Sequence, residues 1–184
     1  MIAPMNPAPN LALVGPMGAG KSAIGRVLAE RLGLRFADLD HEVETAAGAD
    51  IATIFECTGE AGFRARECAA LQALLDGDGL VLATGGGAVL DAGNRRLLRE
   101  RCFVLHLHLD VASQLQRLAR DRGRPLLQRP DREQVLHELA SVRAPLYDAI
   151  ADLRFDTGSD SAMHATTVLV ELLSTQWQRR SIAA

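Results

Sequence analysis

The chain carries a single lysine, and it lies in Gly15-Pro16-Met17-Gly18-Ala19-Gly20-Lys21-Ser22, a complete G-x-x-x-x-G-K-[ST] phosphate-binding loop. Such a loop works between a strand and a helix, so it dictates a βα unit. The flanks agree: an apolar run, Leu11 to Val14, precedes it and an amphipathic stretch, Ala23 to Leu32, follows it. In that setting the glycines let the backbone wrap a polyphosphate, while successive N–H groups and the helix N-terminus supply positive potential. The lysine reaches the outer phosphates and the Ser22 hydroxyl ligates Mg²⁺. Every other long cation is arginine, so lysine is kept where a compact ammonium on a flexible stem is chemically useful.

The same letters admit a rival. Gly18-Ala-Gly20-Lys-Ser-Ala23 also matches G-x-G-x-x-A, with Asp38 and Asp40 about twenty residues on, as in a dinucleotide-binding fold. It fits less well, because that loop has no use for Gly15, nor for a cation and hydroxyl aimed at terminal phosphates and metal.

At 184 residues the chain has room for one domain with a substantial core. A net charge of −3 provides no global field for nucleic acid or an anionic membrane. Cys57, Cys68 and Cys102 lack C-x-x-C spacing and suit buried, reduced thiols better than a disulfide or zinc framework. Met1 to Asn10, with three prolines and no basic residue, lacks the features of a secretion signal and is expected to be a loose tail. No apolar segment approaches the length of a membrane span. A cytoplasmic monomer with small-molecule substrates, and no nucleic-acid or membrane partner, is expected.

Short apolar runs alternate with helical patterns, the signature of βα units around a parallel sheet. Strands are expected at Leu11–Val14, Leu34–Ala37, Leu80–Ala83, Cys102–Leu109 and Leu153–Phe155. Helices are expected at Lys21–Leu32, Ile51–Glu56, Glu60–Leu75, Ala92–Glu100, Val111–Arg120, Arg132–Ile150 and Ala162–Gln178, with Pro145 ending or bending the one that holds it. The charged stretch from Asp121 to about Asp131, punctuated by glycine and proline, reads as a lid.

In open parallel sheets ligands gather beyond the carboxyl ends of the strands, and the unusual residues fall there. Asp38 and Asp40, two apart at a strand end, are expected to project on one face with Leu39 on the other. One then lies near Mg²⁺ and the other meets an acceptor hydroxyl. Gly85-Gly86-Gly87 removes every side chain from a turn, so a ligand can approach the backbone. Arg64 precedes Glu67 by one helical turn, which lets the carboxylate hold the guanidinium. Arg143 precedes Pro145-Leu-Tyr147, where the proline limits where that guanidinium points. Two such arginines suit a carboxylate ligand.

In combination and order these segments resemble the shikimate kinase family. The elements are the Gly15–Ser22 loop, Asp38-Leu-Asp40, Gly59-Glu60-Ala-Gly-Phe63-Arg64-x-x-Glu67, Gly85–Gly87, Arg124-Pro-Leu-Leu127 and Arg143-Ala-Pro-Leu-Tyr147, and they span the chain from about Asn10 to the last helix. The resemblance implies an α/β P-loop kinase fold in three layers, a five-stranded parallel sheet flanked by helices, with a mobile lid. It implies transfer of a phosphoryl group from ATP to the 3-hydroxyl of shikimate. ATP would lie over Gly18, Ala19, Gly20, Lys21, Ser22 and Ala23, with Arg117 against adenine. Mg²⁺ would be held by Ser22 and, through water, by Asp38. Shikimate would be held by Asp40, Arg64, Gly86, Gly87 and Arg143. Lys21, Asp40 and Arg124 would be catalytic, Arg124 reaching the transferring group from the lid.

A kinase of another small hydroxy acid, such as gluconate, is the nearest alternative. The triple-glycine turn together with Arg143-Ala-Pro-Leu-Tyr147 argues against it. A GTPase-like switch would need an Asn-Lys-x-Asp guanine reader, and a chain whose only lysine is in the phosphate loop has none.

Overall fold

Five apolar runs form one parallel sheet. The computed structural model describes residues 8–119, 131–158 and 161–177. Strand β1 (Asn10–Val14) leads through the glycine-rich loop into α1 (Lys21–Leu32), and β2 (Arg35–Asp38) leads into α2 (Leu39–Ala47) and the long α3 (Ile51–Leu75). Strand β3 (Leu80–Ala83) passes through a 3-10 turn at Ala88–Leu90 into α4 (Ala92–Arg101). Strand β4 (Cys102–His108) precedes α5 (Val111–Arg117) and α6 (Arg132–Ile150), and β5 (Leu153–Asp156) precedes α7 (Ala162–Gln176). The strands lie in the order β2-β3-β1-β4-β5, each pair parallel.

That order decides between the two readings of the loop. In a dinucleotide-binding sheet β2 lies beside β1, whereas here β3 separates them. The chain turns back at β1, so the phosphate loop opens at the sheet's switch point.

Strand alternation sends Leu11 and Leu13 to one face of the sheet and Ala12 and Val14 to the other. On the first face they join Phe103, Leu105 and Leu107 of β4 and Leu169 and Leu173 of α7. On the second they join Leu71 and Leu75 of α3, Leu98 of α4, and Tyr147 and Ile150 of α6. Every residue of β1 and β3 is buried, and burying each leucine stabilises the fold by about 1.5–3 kcal/mol relative to exposure. The helices therefore clamp a fully covered central sheet, as parallel sheets require.

Several expectations change. Asp40 is not on a strand: Asp38 caps α2 by accepting from the Asp40 amide, so Asp40 sits in the first turn of a helix that the apolar pattern did not announce. The helices expected at 51–56 and 60–75 are divided as expected, by a kink at Gly59, whose φ of 66° is left-handed. Helix α6 spans the expected Arg132–Ile150 and is not ended by Pro145, because Tyr147 and Ile150 are buried beyond the proline and their packing offsets one missing backbone bond. Cys57 is exposed, unlike the buried thiol expected, while Cys102 is buried. Among the described residues no helix is long and apolar enough to cross a membrane.

The expected loose tail is anchored at its inner end. Ala8 is buried, and its carbonyl accepts from the Trp177 indole at 2.8 Å. Asn10, fully buried, donates from Nδ2 to the Gly77 carbonyl at 3.1 Å and accepts at Oδ1 from the Leu80 amide at 3.0 Å. It thus stitches the start of β1 to the turn that begins β3. Replacing Asn10 by alanine leaves a buried amide unpartnered, so Asn10→Ala is expected to lower unfolding free energy by about 1–3 kcal/mol. Urea denaturation measures this, and ADP affinity of the folded variant should stay unchanged.

Candidate active site

Strand β1 delivers the chain to Gly15, whose φ of 142° and closeness to β4 exclude a side chain: a Cβ there would lie 2.3 Å from the Leu107 carbonyl oxygen. The loop then folds over to Gly20 at the start of α1. Lys21, 9% exposed, donates to the carbonyls of Gly15 and Pro16, both at 2.8 Å. Its ammonium is therefore folded onto the loop that a polyphosphate would fill. Arg117 of α5 closes the same end, donating to the Gly18 carbonyl at 3.1 Å and to the Thr157 carbonyl. It bridges the phosphate loop and the segment after β5.

The Ser22 hydroxyl donates to Oδ2 of Asp38 at 2.5 Å, so two hard oxygens stand together beside the loop. Among the described residues no group of three or more His, Cys, Asp or Glu is arranged to hold a metal. A pair of oxygens suits Mg²⁺, which keeps several waters and relies on substrate phosphates for its remaining ligands.

A second cluster lies one strand over, where β3 runs into Gly85-Gly86-Gly87. The Thr84 amide and hydroxyl both donate to the Leu13 carbonyl, at 3.1 and 3.0 Å, tying this turn to the end of β1. Each glycine is packed against a polar side chain. A Cβ on Gly85 would lie 2.5 Å from Asp40 Oδ1 and 3.2 Å from Glu67 Oε1. One on Gly86 would lie 3.5 Å from Arg143 Nη1, and one on Gly87 2.4 Å from Arg64 Nη2. Two guanidinium groups and a carboxylate thus converge on a stretch of bare backbone.

Arg64 is fixed from below by its own helix. It donates to Glu67 Oε2 at 2.8 Å and to Glu60 Oε1 at 3.3 Å, and its guanidinium lies 5.1 Å from the centre of the Phe63 ring. Burial opposes its charge, but the Glu67 and Glu60 carboxylates prevail and raise its pKa above the ordinary value. Glu67 is 1% exposed. Burial pushes its carboxyl above the usual range, Arg64 pulls it back, and the nearby Asp40 charge adds to the rise. Glu67 Oε1 and Arg64 Nε are both buried without a hydrogen-bond partner.

The structure therefore gathers Lys21, Ser22, Asp38 and Arg117 at one end and Asp40, Arg64, Gly86, Gly87 and Arg143 at the other. Arg124 and most of the expected lid lie outside the described residues. Asp38 and Asp40 do separate between the two ends, through a helix cap and not through strand alternation. Sequence reasoning gave no role to Tyr147, whose hydroxyl donates to the Gly86 carbonyl at 2.5 Å. The triple glycine and Arg143-Ala-Pro-Leu-Tyr147 were the available signals, since a tyrosine one turn after Arg143 must face the same way.

Known proteins are similar to this chain in sequence and fold. The shikimate kinase family model matches residues 17–174. A shikimate kinase of Stenotrophomonas maltophilia (strain K279a) is 60% identical over 178 residues, covering 97% of this chain and 99% of that protein. One from Xanthomonas campestris pv. campestris (strain 8004) is 57% identical over 98% of this chain and 100% of its own length. The solved structure of shikimate kinase from Acinetobacter baumannii in complex with shikimate superposes with a TM-score of 0.87 at 47% identity, covering 91% of this chain and 94% of that one. With a family model matched across most of its length and relatives of this similarity over nearly all of it, the chain belongs to the shikimate kinase family.

Proposed function

We propose that this chain, acting as one domain, transfers the γ-phosphoryl group of ATP to the 3-hydroxyl of shikimate, yielding shikimate 3-phosphate, ADP and a proton. The observation that carries the reading is the pair of guanidinium groups, Arg64 and Arg143, set against Gly87 and Gly86 beside the Asp40 carboxylate. A ligand with one carboxylate and several hydroxyls matches that clamp, and a solved relative is a complex with shikimate.

Phosphoryl transfer needs positioning and charge stabilisation more than covalent chemistry. ATP lies over Gly18 to Ala23, with Arg117 at its adenine side. Lys21 leaves the Gly15 and Pro16 carbonyls and turns to the outer phosphates. Ser22, and Asp38 through water, would hold Mg²⁺, which would neutralise phosphate charge. Arg64 and Arg143 bind the shikimate carboxylate, and the Gly86 and Gly87 backbone lies along the ring. Asp40 orients the attacking hydroxyl and takes its proton. Arg124 stabilises charge on the transferring group.

Coupled ADP release with shikimate, gluconate and nucleoside monophosphates tests the assignment. Turnover with shikimate far above the others is expected, and a preference for either of the others overturns it. The role given to Arg124 makes a sharper demand, because a charge used only at the transition state should matter for rate and not for ground-state binding. Arg124→Ala should lose about 10³–10⁵ in kcat, the usual value of an arginine finger, while keeping most of its affinity for ATP and shikimate. Lysine should rescue poorly for lack of a planar fork, and Arg122→Ala should change little. Near-normal kcat in Arg124→Ala contradicts the role.

A further inference from the structure

His106 lies on β4, 1% exposed, and strand parity turns it with Cys102 and Val104 to the face on which α6 packs. Its Nδ1 is 2.8 Å from Oδ1 of Asp148. Its ring sits against Tyr147, centroids 5.2 Å apart, and meets the His108 ring edge-on at 5.8 Å. Its Cδ2 lies 3.5 Å from the position a Cβ on Gly15 would take, so the imidazole fills the space between the phosphate loop and α6. The charged and titratable groups around it are Asp148 and Tyr147 on α6, His108 on β4 and Arg154 on β5, with Arg143 lining the same cavity. Burial holds its pKa below the ordinary histidine value against the pull of Asp148. A neutral ring facing a carboxylate carries its proton on Nδ1 and donates it.

This contact falls where α6 most needs one. Pro145 has no amide to donate to the Ser141 carbonyl one turn back, so one of the bonds joining the end of the helix to its body is missing. Two residues beyond the proline are tied from outside: Tyr147 donates to the Gly86 carbonyl at 2.5 Å and Asp148 accepts from His106. Arg143 stands one turn earlier on the same helix and packs on Gly86.

We propose that His106 is a positioning residue for the acceptor: through Asp148 it fixes the final turn of α6 and so sets Tyr147 against Gly86 and Arg143 over the acid-binding backbone. The role rests on the functional reading above. Two readouts test it, one of them independent of activity. Tyr147 is the only tyrosine, so ring-¹³C tyrosine gives NMR signals from that residue alone. His106→Phe and Asp148→Ala should shift those signals, whereas Asp148→Asn, whose amide oxygen still accepts from Nδ1–H, should leave them in place. In kinetics the first two variants should raise KM for shikimate about three- to tenfold, the worth of one hydrogen bond, with KM for ATP unchanged and Asp148→Asn near the unmutated enzyme. Unmoved Tyr147 signals in Asp148→Ala, or equal rises in both KM values, overturn the proposal. Absence of shikimate turnover in the unmutated protein would fell the functional reading instead, and the Tyr147 signals would still decide whether His106 sets that residue.

Discussion

A carboxylate at 1% exposure is expensive to keep charged, and Glu67 is kept in that state by one close guanidinium, Arg64. The acceptor end of the site depends on this pair. Glu67 is buried under Gly85 near Asp40, so Arg64 cannot swing away without stranding a charge, and its guanidinium stays pressed on Gly87. Burial and the Asp40 charge both raise the Glu67 pKa, and only Arg64, with a smaller contribution from Arg143, opposes them. The pair is also incompletely satisfied, since Glu67 Oε1 and Arg64 Nε lack partners. For stability alone an apolar pair would serve as well or better.

The phosphate end depends on the sheet. Because β1 is covered on both faces and flanked by β3 and β4, the loop at its end is a rigid platform with Gly15 pressed on Leu107. The neighbouring β3 carries the triple glycine, and Thr84 binds the Leu13 carbonyl twice. Adjacent strands thus place the glycine-lysine loop and the triple-glycine turn, with Arg64 and Arg143 against it, side by side. Helix α2, capped by Asp38, connects them: Asp38 faces Ser22, and Asp40, in the first turn, reaches Gly85. Proximity of the two ends is a property of strand order, which is why the dinucleotide-binding arrangement could not build this site.

What the sequence disclosed followed from local chemistry. Central strands β1 and β3 are uninterrupted apolar runs with turn residues on both sides, and their expected bounds match to within a residue. The glycine-lysine motif lies between a strand and a helix as its flanks implied, and the Arg64–Glu67 contact, one helical turn apart, appears as expected. What escaped depends on distant partners or on competition between weak terms. Helix α2 has only Leu39 and Val43 buried, too few to print a period, so Asp40 was expected at a strand end and not within a helix. The contacts of His106 with Asp148 and of Tyr147 with Gly86 span 42 and 61 residues, and no pattern along the chain announces them.

If Glu67 aims Arg64 at the acid, removing the Glu67 charge must loosen that acid. Glutamine keeps the shape and removes the charge, so shikimate is titrated calorimetrically into Glu67→Gln. Shikimate affinity should fall by about one to two decades, the value of a charge-assisted hydrogen bond, while ADP binding and the melting transition are retained. Unchanged shikimate affinity in a folded Glu67→Gln protein would contradict this role for Glu67.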